Sequence, residues 1–119
     1  MNITKFIICI SISLMPIMSY GTFNKAESNE LQEINNKSNA SLNIALTKKN
    51  NTLSIAIKNN PDKKKELIEL DSAWEVMINK KCIFENVESS GSDAFITLMN
   101  KCAEQQYNSE SEYFNSILP

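Results

Sequence analysis

Two cysteines, Cys82 and Cys102, constrain what this chain can fold into more than any other pair of its residues. The third, Cys9, sits inside an apolar run from Phe6 to Met18 that carries no charge and follows Lys5. A basic start, a short apolar stretch and small residues at Ser19 and Gly21 are the features of a cleavable secretory leader. The run is shorter than the roughly 20 residues needed to span a membrane. Residues 1–21 are therefore read as a signal peptide, with the mature chain starting near Thr22 and no stable membrane anchor after cleavage. Only Phe6-Ile7-Ile8 lead into Cys9, too little for a lipidation signal, so Cys9 is expected to leave with the leader. One intramolecular pairing then remains, Cys82 with Cys102. A leader and a disulfide belong together in an oxidising compartment, and the protein is expected to be periplasmic or secreted.

With 119 residues the chain has room for one domain, expected at 22–119. Its charges are unevenly spread. Between Thr22 and Lys65 there are eight Lys and four acids; from Cys82 onward Lys101 stands against Glu85, Glu88, Asp93, Glu104, Glu110 and Glu112. The chain has no Arg and no continuous basic stretch, which argues against a nucleic-acid partner. An acidic C-terminal half suits a basic partner or plain solubility.

Helical spacing dominates the pattern. Asn24–Lys37 is polar, with Leu31 and Ile34 three apart and three Glu early, as in a weak amphipathic helix. Ser41–Lys58 reads two ways. Leu42, Ile44, Leu46 and then Leu53, Ile55, Ile57 alternate like a hairpin around Lys48-Lys49-Asn50-Asn51. The same residues also place Leu42, Ala45, Leu46, Leu53, Ala56 and Ile57 on one helical stripe. Asn60-Pro61-Asp62 signals a helix start, with Asn60 as cap. Leu67, Leu70, Trp74, Met77 and Ile78 continue that helix toward Cys82. Asn86–Gly91 interrupts it, and Ser92 is placed to cap a further helix with Asp93 in its first turn. Phe95, Leu98, Met99, Cys102 and Ala103 form its apolar stripe, extended by Tyr113, Phe114, Ile117 and Leu118. With 41–58 as helix the expected fold is all-α, a small antiparallel bundle of three to four helices with one disulfide; with 41–58 as a hairpin it is mixed α+β. Leu70, Trp74, Phe84 and Phe95 are read as core residues.

Much chemistry is missing. Without His there are no His-based triads and no His metal ligands, and two cysteines without a CxxC pair make no structural zinc site. Gly21 and Gly91 are the only glycines, so no phosphate-binding loop is present. Neither enzyme activity, a metal nor a cofactor is expected.

From Leu67 to Leu118 the chain resembles the LprI-type lysozyme-inhibitor domain of secreted and periplasmic bacterial proteins. The residues that carry the resemblance are Trp74, Cys82 eight positions later, Phe84-Glu85, Gly91-Ser92 and Cys102, with Leu70 and Ala73 before Trp74. Leu42-Asn43 followed by Leu46 is similar to the family's entry into its preceding helix, which favours helix over hairpin for 41–58. The chain departs from the family pattern in three places. A second, N-terminal cysteine pair is missing, Met77-Ile78-Asn79 replaces Tyr-Arg-Asp, and Glu110 stands where Arg is usual.

The resemblance implies a periplasmic inhibitor that binds a cell-wall hydrolase, a lysozyme above all, by protein–protein contact. Glu85, Glu88 and Asp93 would attract a basic enzyme. Its cleft carboxylates repel acids, so Ser89, Ser90 and Ser92 are the candidates for contact there. The alternative is an envelope interaction or structural module, or an immunity protein for a secreted toxin, without lysozyme inhibition.

Overall fold

The computed structural model describes residues 25–117 and Pro119. The leader expected at 1–21, the start near Thr22 and Leu118 lie outside the described residues. Three helices account for the described fold: α1 Lys25–Asn59, α2 Lys64–Glu85 and α3 Phe95–Asn115. Single 3-10 turns, Pro61–Lys63 and Val87–Ser89, lie in the two connections. No strand occurs among the described residues, and one disulfide joins α2 to α3. The all-α expectation holds, at three helices. The chain divides into two units between Glu33 and Ile34. In the first, Lys25–Glu33 is helical and largely exposed. The second unit, Ile34–Pro119, carries the disulfide and both apolar clusters.

The described residues of the two segments read separately at 24–37 and 41–58 lie in one helix, Lys25–Asn59. A hairpin would put Leu42, Ile44 and Leu46 on a single face, yet Ala45 is buried and Ile44 is 71% exposed. The inward positions Leu42, Ala45, Lys49, Thr52 and Ala56 form a seam with steps of three and four, flanked by Leu46, Leu53 and Ile57. Lys48-Lys49-Asn50-Asn51 contains no Gly or Pro to break that helix, and small Ala45 and Ala56 let its neighbours approach closely.

Helix ends are set by asparagines turned backward. Asn60, expected to cap α2, instead closes α1: its Nδ2 and its backbone N–H both donate to the Ala56 carbonyl at 3.0 Å. Its side chain makes no capping bond to the 3-10 turn at Pro61–Lys63. Asn86 repeats the device on α2, donating from Nδ2 to the Cys82 carbonyl at 2.9 Å. Carbonyls left over at a C-terminus are thereby satisfied. Ser92 is not the cap of α3 either; that position is Ala94, and Ser92 supplies a backbone carbonyl to the Phe95 N–H at 3.2 Å. Gly91 turns the loop with φ +82°. An added Cβ there meets nothing within 4 Å, so Gly91→Ala is expected to cost about 1 kcal/mol in chemical denaturation from backbone strain alone.

Two apolar clusters hold the helices together. One gathers Ala45, Ile78, Cys82, Cys102 and Tyr107, with Trp74 and Met99 packed against it. The other gathers Ala56, Leu67 and Phe114, with Leu70 and Ile117 alongside. Position numbers rise from the first cluster to the second in α1 and α3 and fall in α2, so α2 runs antiparallel to both. Thr97–Asn35 and Asn100–Asn39 side-chain hydrogen bonds, 2.9 and 2.6 Å, tie α3 alongside α1 in the same register. Of the four expected core residues, Leu70 and Trp74 pack partly buried against the clusters and Phe95 is half-buried. Phe84 does not belong to the core: it is 80% exposed. It follows Cys82 by two positions, roughly 200° around the helix, so burying the cysteine turns Phe84 outward.

Candidate functional site

Cys82 and Cys102 are bonded, with Cα atoms 5.7 Å apart, and close a loop of about 20 residues between α2 and α3. Such a closure contributes about 3 kcal/mol by restricting the unfolded chain. Every residue expected to face a partner lies within that loop. Glu85 is in the last turn of α2, Glu88 and Ser89 are in the 3-10 turn, and Ser90, Ser92 and Asp93 lead into α3. Consecutive turn bonds stiffen the segment: the N–H groups of Ser89, Ser90 and Ser92 donate to the carbonyls of Asn86, Val87 and Ser89 at 3.0, 3.2 and 2.9 Å.

Glu85, Glu88, Ser90, Ser92 and Asp93 are exposed, while Ser89 is half-buried. Glu85 also pairs with Lys81 at 2.6 Å, one helical turn back, an exposed ion pair worth only a few tenths of a kcal/mol. Its other oxygen lies 3.3 Å from Cys102 Sγ, a contact without a hydrogen bond because a disulfide sulfur carries no proton. The residue that sequence reasoning placed wrongly stands out most here. Phe84, Ile83 and Val87 are all exposed apolar side chains at the stapled end of the bundle.

A second constellation was not expected. Between the two apolar clusters the helices meet in a polar layer: Lys49 and Thr52 from α1, Asp71 and Glu75 from α2, and Tyr107, Glu110 and Ser111 from α3. Lys49, 4% exposed, donates from Nζ to Asp71 Oδ1 at 2.8 Å and lies 5.7 Å from the Tyr107 ring centroid. Tyr107 donates its hydroxyl to Glu75 Oε1 at 2.6 Å, and Thr52 Oγ1 lies 3.3 Å from Ser111 Oγ. Glu110 is 0% exposed, and no donor reaches either of its oxygens. The Asp71 carboxyl is within hydrogen-bonding reach of it, and Asp71 is an acceptor too.

A proton on Glu110 resolves that contact. Burial, then the hydrogen bond to Asp71, push the Glu110 carboxyl up to about 8, against an opposing pull from Lys49. Burial alone would raise Asp71 as well, but the bonds from Glu110 and Lys49 outweigh it and hold Asp71 below its ordinary value. Burial and the bond to Glu75 raise Tyr107 above the usual phenol range.

The signal for this layer was present but hard to read. Asp71 and Glu75 are four apart between Leu70 and Ile78, and Tyr107, Glu110, Ser111 and Phe114 keep helical spacing. Charged residues at seam positions look like breaks in a stripe, and only the fold shows them meeting. Among the described residues no cluster of three or more His, Cys, Asp or Glu is placed to hold a metal ion, and no helix is long and apolar enough to cross a membrane. No protein-family model, curated protein or solved structure matches the chain.

Proposed function

We propose that this protein binds a basic cell-wall hydrolase of the lysozyme class outside the cytoplasm, with the stapled end between α2 and α3 as its contact surface. The observation that carries this reading is Phe84, 80% exposed beside a covalently fixed turn, with Ile83 and Val87 next to it. A rigid, exposed aromatic with apolar neighbours is a typical anchor for a protein partner. Glu88 and Asp93 add negative charge that favours the approach of a basic surface. Ser90 and Ser92 are uncharged and exposed, and can come close to the carboxylates of a glycosidase cleft without like-charge cost. The resemblance of Trp74, Cys82, Phe84-Glu85, Gly91-Ser92 and Cys102 to the LprI-type pattern supports the same target, and the paired cysteines support a periplasmic or secreted location.

The test is calorimetric binding and cell-wall lysis at low salt with the protein in micromolar excess over lysozyme. Inhibition is expected, and Phe84→Ala is expected to weaken binding about 30-fold, equivalent to about 2 kcal/mol, while leaving the unfolding midpoint nearly unchanged. Unaltered lysis together with no heat of binding overturns the proposal. Binding without inhibition transfers the surface to the envelope-module alternative.

A further inference from the structure

The polar layer contains more carboxyls than its one cation can balance. Around Glu110, α1 contributes Lys49, α2 contributes Asp71 and Glu75, and α3 itself contributes Tyr107. Lys49 is engaged by Asp71, and Glu75 is satisfied by the Tyr107 hydroxyl. Glu110 is left fully buried with Asp71 as its polar neighbour and no donor for either oxygen. Two ionised carboxylates repel one another in such a place, whereas one shared proton makes a strong O–H···O bond between them.

We propose that the Glu110 proton is a latch between α2 and α3: held, it bonds the two helices across the layer, and lost, it parts the carboxylates and opens the second half of α3.

The direction of the response is set by proton linkage. Glu110 is raised from an ordinary 4.5 to about 8, so between these values the folded protein holds a proton that the unfolded chain has released. Its contribution to stability is full below about pH 4.5, declines as pH rises, and is gone above about pH 8. Asp71, lowered from 3.8, acts in the opposite sense and only in more acid solution. Tyr107, raised from 10.0, acts only in strong alkali. The chain has no His, so no side chain with an ordinary pKa between 5 and 7 obscures the effect.

Urea unfolding of the purified protein from pH 5 to 8.5 tests the latch. The unfolding constant is expected to rise by up to about tenfold per pH unit, and by about 100-fold or more in total. Glu110→Gln keeps a donor for Asp71 at every pH and is expected to hold the total change below about threefold. Infrared spectra of the wild type provide a second readout if that variant fails to fold: a protonated-carboxyl band at pH 6 that disappears by pH 9. Amide exchange, corrected for its intrinsic pH dependence, should accelerate at pH 8.5 across Tyr107–Phe114 before the rest of the bundle. A flat wild-type profile, a slope that survives in Glu110→Gln, or no protonated-carboxyl band at pH 6 overturns the proposal. Uniform exchange across all three helices overturns the local opening.

Discussion

Lys49→Met is expected to destabilise the protein by about 3 kcal/mol at pH 7, measured by urea denaturation. The methionine fills the same space, so the loss is electrostatic. Asp71, only partly exposed, keeps its charge without the 2.8 Å ammonium beside it, and Glu110 still faces it from within the core. The same network yields two further results. The penalty should shrink only in acid below the ordinary Asp value of 3.8, where Asp71, held lower than that by its bonds, takes up a proton and the wild-type ion pair is lost as well. Without the lysine, which pulls Glu110 downward, the Glu110 titration should move to higher pH. Replacing Lys49, Asp71 and Glu110 together by apolar residues of similar size should be nearly neutral or stabilising, because a buried ionic network is costly to desolvate. A triple variant as unstable as Lys49→Met would show that packing, not charge, dominates the layer.

Phe114→Ala is the second large effect, expected at about 3–5 kcal/mol. Phe114 is 1% exposed, packs with Ala56 and Leu67, and has its ring centroid 6.3 Å from Trp74 and 5.8 Å from Tyr113. Removing it deletes the largest fully buried side chain of the described residues and takes one member from the aromatic group. Stabilities of small domains are about 5–15 kcal/mol, so this one change removes about a fifth of the total or more. Phe84→Ala is the natural control. The same chemical truncation at an exposed site should alter stability by about 0.5 kcal/mol or less. Equal penalties at the two positions would contradict the burial assignment.

The contrast between those two phenylalanines shows what could be read from the chain and what could not. The disulfide, the all-helical class and the break near Gly91 were legible, because cysteine count and local backbone chemistry decide them. The fate of 41–58 was not legible from the residues alone, since alternation and helical spacing coexist there. Tertiary contact chose the helix, with Ala45 and Ala56 inward and Ile44 outward. Phe84 was misread because an aromatic beside a buried cysteine suggests core, although two positions on a helix is the wrong spacing for a shared face. Asn60 was read as a beginning when its side chain ends the preceding helix; both roles use the same amide. Lys49 and Glu110 were the hardest to see. Each lies on an apolar seam and becomes meaningful only when residues 22 and 39 positions from Asp71 are brought beside it. The residues expected to face a partner fall together in one loop, and the exposed Phe84, Ile83 and Val87 among them were not anticipated.

The disulfide also makes the three helices unequal. α2 and α3 remain leashed at one end however far the bundle loosens, so their local concentration toward one another never falls to that of a free chain. α1 has no such covalent leash beyond the chain through Asn60–Lys63; it is held by its apolar seam, by Lys49 and Thr52, and by the Asn35 and Asn39 bonds to α3. Whatever loosens the polar layer, α2 and α3 stay joined at their Cys82–Cys102 end, so an opening there can only splay the two helices from the far end and cannot separate them.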